Sequence, residues 1–87
     1  MSADTTVEPG HVLVVADDPD LLFTVRLFLE LDRHHVVTAS NVTDALLALD
    51  KEPIEVVVTD LVLPGSSGLD LLTTLRRARD DVEVVLL

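Results

Sequence analysis

The chain has 87 residues, enough for one small domain, and a formal net charge of −10 from 16 acidic and 6 basic side chains. Hydrophobic residues make up 48%, which excludes a disordered acidic tail, and the lack of cysteine excludes a disulfide framework or thiolate metal site. The acidic balance would repel a phosphate backbone, so we expect no nucleic-acid binding by this segment. No apolar run approaches the length of about 18 residues that spans a bilayer, so we expect a soluble, cytoplasmic domain without membrane contact.

A tail and a buried strand open the chain. Residues 1–10 are mostly small, polar or acidic and end in a Pro-Gly pair, so we expect a flexible tail. Residues 12–16 form a continuous apolar run, which is typical of a strand buried on both faces. The run stops at Asp17-Asp18-Pro19, where Asp18 can cap a helix and Pro19 suits the first turn.

The first helix should extend to about residue 32. Leu27 and Leu31 fall off its apolar stripe, and the sequence does not decide whether they add packing or face a partner. At helical spacing, the residues of the stripe itself are Leu21, Leu22, Val25, Phe28 and Leu29.

A second strand and helix are predicted next. The strand is predicted at residues 35–39. Ser40 and Asn41 are candidates for the N-cap of the helix, and residues 51–53 (Lys-Glu-Pro) should end it. The apolar positions of this helix are Val42, Ala45, Leu46 and Leu49.

The third strand carries the second acidic feature. Residues 54–59 are β-branched at five of six positions and end at Asp60. Residues 64–68 (Pro-Gly-Ser-Ser-Gly) predict a loop, and residues 82–87 predict a fourth strand. Between them the apolar face of a third helix comprises Leu71, Leu72, Leu75 and Ala78.

The order βαβαβαβ predicts an α/β fold with a doubly wound parallel sheet of the flavodoxin-like type. We expect the strand order 2-1-3-4, whose switch point lies at the carboxyl ends of strands one and three. Asp17 and Asp18 follow the first of these strands and Asp60 the other, so the three carboxylates should meet in one crevice. Their repulsion favours a bound cation, and oxygen-only ligands suit Mg²⁺.

Such a site fits phosphoryl transfer to a carboxylate. Asp60 would attack phosphorus in line and become an acyl phosphate, while Mg²⁺ neutralises the phosphoryl oxygens. Asp18 would hold the metal directly and Asp17 through water. The backbone carbonyl of Val62, two residues after Asp60, could complete the ligands that the protein supplies.

Two segments carry a family resemblance. Val-Val-Ala-Asp17-Asp18-Pro-Asp-Leu-Leu resembles the acidic opening of response-regulator receivers. Val-Thr-Asp60-Leu-Val-Leu-Pro64-Gly-Ser-Ser-Gly68 resembles their phosphoacceptor strand and following loop, with Pro64 and Gly68 four and eight residues after Asp60. Either motif alone is weak, but both in order on predicted strand ends form a specific pattern that covers roughly residues 11–87.

The resemblance implies a phospho-accepting receiver of a two-component phosphorelay, which is not an enzyme that turns over substrate. The partner would be a histidine kinase or a histidine phosphotransfer protein. Family members follow their fourth strand with a Ser or Thr hydroxyl and a later Lys, whereas this sequence stops at Leu87. We therefore expect residues 11–87 to be the N-terminal, incomplete part of a receiver, lacking the last strand and helices.

Several alternatives remain open at this point. An exposed fourth strand could pair two copies into a homodimer, and a receiver-like fold could work by dimerisation alone. Asp18-Pro19-Asp20 also matches the nucleophile motif of haloacid-dehalogenase-like phosphatases, although that interpretation leaves Asp60 unexplained. The histidines His11, His34 and His35 should be surface residues that share no metal, and none is the predicted phosphodonor.

Overall fold

The computed structural model describes residues 10–60, 62–63, 66–79 and 81–87, so the predicted tail lies outside it except for Gly10. No helix in these ranges is long and apolar enough to cross a membrane. In chain order the elements are β1 (His11–Val15), α1 (Pro19–Leu31), β2 (His35–Ala39), α2 (Val42–Lys51), β3 (Val56–Thr59), β4 (Val62–Leu63), β5 (Ser66–Ser67), α3 (Gly68–Ala78) and β6 (Glu83–Leu86).

Four parallel strands form the main sheet in the order β2-β1-β3-β6. Counted without the two short strands, this is the order 2-1-3-4, so the predicted flavodoxin-like sheet is confirmed. The last residue of β1, Val15, pairs with Ala39 of β2 on one side and Thr59 of β3 on the other. Right-handed crossovers place α1 on one face and α2 and α3 on the opposite face.

The hydrophobic core lies between the sheet and the pair α2 and α3. Alternate residues of the central strand, Leu13 and Val15, face these helices, while Val12 and Val14 face the side of α1. Burying one such side chain contributes about 1.5–3 kcal/mol, so this layer dominates the stability of the sheet. The buried residues that join Leu13 and Val15 in the cluster are Ala39, Ala45, Leu49, Ile54, Val57, Leu63, Leu71, Leu75 and Val82.

Helix α1 is packed less deeply than its pattern predicted, and none of its residues is buried. Phe28 was predicted to face the core, but its relative exposure is 68%. At about 100° per residue, Phe28 stands at the border of the arc that holds the half-buried Leu22, Val25 and Leu29. Since α1 packs mainly on β1 and β2, that arc covers the contact and leaves Phe28 outside it.

Local sequence signals define both ends of the first two helices. Asp18 caps α1 and Asn41 caps α2, where the Asn41 side chain accepts a hydrogen bond from the Asp44 amide at 2.8 Å. Glu52 ends α2 immediately before Pro53. These capping predictions are confirmed.

Two local predictions differ from the structure. Residues 66–67 of the predicted loop form β5, which pairs antiparallel with residues 62–63 of β4, whereas Pro64 and Gly65 lie outside the described residues. Strand β3 begins at Val56 rather than at residue 54. The carbonyl of Ile54 does not pair in the sheet, because it accepts a hydrogen bond from Arg79 Nη2 at 3.3 Å. The Arg79 guanidinium also donates to Asp81, which lowers the pKa of that carboxyl.

The described sheet ends at β6, where Val85 and Leu86 are about half exposed, as is the following Leu87. An edge with apolar side chains can add a strand from another chain. Pairing of two copies along this edge stays a prediction.

The turn after α1 requires a left-handed residue. Arg33 has φ 66°, its amide donates to the Glu30 carbonyl at 2.9 Å, and the His34 amide donates to the Leu29 carbonyl at 3.0 Å. This is the Schellman arrangement, which favours glycine at the position of Arg33 because a Cβ is strained there.

We expect Arg33→Gly to raise the free energy of unfolding by about 1 kcal/mol, since it removes left-handed strain. Arg33→Ala is the matched control, because alanine keeps the strain while it also removes the guanidinium. Urea denaturation of both variants measures the effect, and equal stability of the glycine and alanine variants would contradict it.

Candidate functional site

Asp60 stands at the carboxyl end of β3, directly beside the end of β1. Its backbone amide donates to the Val15 carbonyl at 2.8 Å, and the residue is half-buried. Thr59 is fully buried, and its Oγ1 donates to the Asp60 carbonyl at 3.0 Å. Both hydrogen bonds hold the Asp60 backbone. No role was predicted for Thr59. A lone hydroxyl in an otherwise apolar strand nevertheless indicates a buried donor that needs a nearby acceptor.

Asp17 and Asp18 follow β1 at the same edge of the sheet, and both are exposed. Asp18 is the N-cap of α1: its Oδ1 accepts from the amides of Asp20 at 2.9 Å and Leu21 at 3.4 Å. Both capping bonds go to Oδ1, so Oδ2 of the same carboxylate takes no part in the cap. A structural role and a ligand role for Asp18 are therefore compatible.

Val62 lies two residues beyond Asp60 and opens β4. Its strand pairs with β5, where Val62 is in register with Ser67. The described backbone thus places Val62 in a short antiparallel strand pair that follows Asp60. A ligand role for its carbonyl stays a prediction.

Strand pairing brings the chain segments of Asp17, Asp18 and Asp60 together, as the confirmed strand order requires. In the ranges that the structure describes, however, no three carboxylate or imidazole side chains are grouped closely enough to hold a metal ion. The donor chemistry fits a hard cation such as Mg²⁺, whereas ligation itself stays a prediction.

The whole carboxyl edge of the sheet is acidic. Helices of a parallel α/β sheet begin at this edge, and their first turns carry Asp20, Asp44 and Asp70. None of the six Lys and Arg residues lies at a strand end here or in a first helical turn. The helix dipoles stabilise these acids, and the concentration of negative charge favours a cation.

The two roles of Asp18 can be separated by substitution. We expect Asp18→Ala to lower the free energy of unfolding by about 1 kcal/mol, because it removes the cap, whereas Asp18→Asn caps nearly as well and should change it little. Thermal or urea unfolding without divalent cations measures both. Equal destabilisation by the two substitutions would contradict the capping role.

Comparison with known proteins gives the family. The chain belongs to the response regulator receiver domain family, whose model matches residues 12–87. It is 35% identical over 81 residues to the uncharacterized transcriptional regulatory protein YkoG of Bacillus subtilis, and the match covers 93% of this chain and 36% of YkoG. The chain thus spans about a third of that relative's length.

Solved structures agree with the family. The MaeR response regulator bound to beryllium trifluoride matches with a TM-score of 0.83 and 32% identity, over 90% of this chain and 66% of that one. The response regulator TrrA of Thermotoga maritima, in complex with Mg(2+)-BeF, matches with a TM-score of 0.84 and 27% identity, over 88% and 67%.

This membership assigns the chain to the receiver domains of two-component response regulators, which are signalling modules. It also weighs against the haloacid-dehalogenase-like alternative. The family match includes Asp60 and the residues after it, which that alternative leaves unexplained.

Proposed function

We propose that Asp60 accepts a phosphoryl group from the phosphohistidine of a histidine kinase or a histidine phosphotransfer protein. The observation that carries this proposal is the hydrogen bond from the Asp60 amide to the Val15 carbonyl, at 2.8 Å. It places the half-buried Asp60 next to the segment that bears Asp17 and Asp18. The family membership and the acidic edge of the sheet support the same role.

In the transfer step, a carboxylate oxygen of Asp60 attacks phosphorus in line with the leaving imidazole. The new O–P bond forms an acyl phosphate as the P–N bond of the phosphohistidine breaks, and the imidazole nitrogen keeps the electron pair of that bond. The contribution of this chain is to position the carboxylate. Two hydrogen bonds of its backbone hold Asp60 at the strand end: its amide donates to the Val15 carbonyl, and its carbonyl accepts from the Thr59 hydroxyl.

We assign Mg²⁺ to the same edge. Asp18 would bind it directly through Oδ2, the oxygen that takes no part in the cap, together with Asp60 and the Val62 carbonyl, and Asp17 would act through water. When bound, the ion neutralises charge on the phosphoryl oxygens. The complex of TrrA with Mg(2+)-BeF supports a divalent cation in a related receiver.

Phosphorylation is tested with acetyl phosphate and Mg²⁺. We expect the chain to gain one phosphoryl group by intact-mass measurement and to lose this gain in Asp60→Asn or with excess chelator. Asp50→Asn is the matched control, because Asp50 is an exposed acid on α2 that has no place in the site. Labelling that persists in Asp60→Asn, or none in the unaltered chain, would refute Asp60 as the acceptor.

Metal binding can be measured separately from phosphorylation, through the free energy of unfolding. At ten times its dissociation constant, Mg²⁺ should add about 1.4 kcal/mol to the free energy of unfolding. NaCl at matched ionic strength corrects for general charge screening, which also stabilises so acidic a chain. We expect Asp18→Asn to keep its cap and lose the specific effect of Mg²⁺. A full Mg²⁺ effect in that variant would show that Asp18 is not a ligand.

A further inference from the structure

All three histidines gather at the amino ends of the strands, opposite the acidic edge. The rings of His11 and His35 lie with centroids 5.0 Å apart. The side chain of His34 is 20% exposed, so it is more covered than those of the other two histidines but not buried. Each histidine has one carboxylate neighbour: His11 with Glu55 at 3.9 Å, His34 with Asp32 at 3.3 Å and His35 with Glu52 at 3.7 Å.

His34 joins the end of α1 to the beginning of β1. Its backbone amide closes the Schellman turn at Leu29, and its ring Nδ1 accepts a hydrogen bond from the Gly10 amide at 3.0 Å. The ring Nε2 lies 3.3 Å from Asp32 Oδ2. Only a neutral imidazole with its proton on Nε2 can accept at Nδ1 and donate at Nε2 at the same time.

We propose that His34 is a proton-sensitive latch, which holds Gly10 at the start of β1 when neutral and releases it when protonated. Protonated Nδ1 carries a hydrogen and has no lone pair, so it cannot accept the Gly10 amide. Two donors then face each other across 3.0 Å, and the contact must open. One proton thus removes the hydrogen bond of the Gly10 amide, while the Gly10 carbonyl still accepts from the His35 amide at 2.9 Å.

The charges at the end of α1 do not prevent the release. The Asp32 carboxylate attracts a protonated His34, but its side chain is 82% exposed, so water screens the attraction. Arg33 is the residue before His34 in the chain and carries a positive charge. Among the described residues, no hydrogen bond joins the Gly10 amide to Asp32 or Arg33, so neither of these two supplies a replacement acceptor.

Charges from the neighbouring strands favour the release. Glu55 Oε1 accepts from the His11 amide at 3.0 Å and lies 3.2 Å from the position of a Cβ on Gly10. This carboxylate is thus the nearby acceptor toward which a protonated Nδ1 can turn. His11 and His35 face Glu55 and Glu52, and neither is bonded to the Gly10 amide.

Amide hydrogen exchange of Gly10 in the full chain tests the latch between about pH 8 and pH 5, where histidine titrates. We expect its protection, relative to the intrinsic rate at each pH, to fall about five- to tenfold on acidification, the factor for one lost hydrogen bond. In His34→Asn, the amide oxygen takes the place of Nδ1 and does not titrate, so protection should stay constant. The imidazole ¹⁵N shifts should show the Nε2–H tautomer at pH 8.

His35→Asn is the matched control, because it removes another histidine of this rim and should keep the pH dependence of Gly10. A constant protection in the unaltered chain, or the same fall in His34→Asn, would overturn the proposal. If His34→Asn does not fold, the ring shifts of the unaltered chain decide. A proton on Nδ1 at pH 8 is then the contrary result.

Discussion

The parallel pairing of β1 with β3 is the contact on which the candidate site depends. It joins segments that are more than forty residues apart and ends in the hydrogen bond from the Asp60 amide to the Val15 carbonyl. Burial of Leu13, Val15 and Val57 against α2 and α3 sets the register. A slip by one residue would turn these side chains to the other face and move Asp60 away from the acids that follow β1, so core packing and the position of Asp60 are inseparable.

Asp18 combines an observed structural role, the cap of α1, with a proposed role as a metal ligand. Helix α1 begins at this residue because its Oδ1 satisfies two free amides, and the same carboxylate stands at the acidic edge of the sheet. The cap also restricts the carboxylate before any cation arrives. A less mobile ligand loses less conformational freedom on binding, which offsets part of the cost of ordering a site made of exposed acids.

The two ends of β1 have different kinds of hydrogen-bond partner. At its carboxyl end the partner is a backbone amide, that of Asp60, which does not titrate. At its amino end the carbonyls of Gly10 and His11 likewise accept from backbone amides, those of His35 and Glu55. The Gly10 and His11 amides, however, donate to ionisable side chains, those of His34 and Glu55. The proposed effect of acid is therefore confined to the Gly10 amide, and the backbone contact beside the proposed phosphoacceptor does not titrate.

The sequence by itself determined the type and order of the main elements, the strand order and the caps at Asp18 and Asn41, because periodicity and capping depend on residues close together in the chain. It also placed Asp17, Asp18 and Asp60 at strand ends that the sheet brings side by side. Only the tertiary structure decided the exposure of Phe28, the late start of β3 at the Arg79 contact, the bond from Thr59 to Asp60 and the partial burial of His34. Most of these depend on packing or on partners distant in sequence, and the Thr59 bond, though local, is needed only because that hydroxyl is buried.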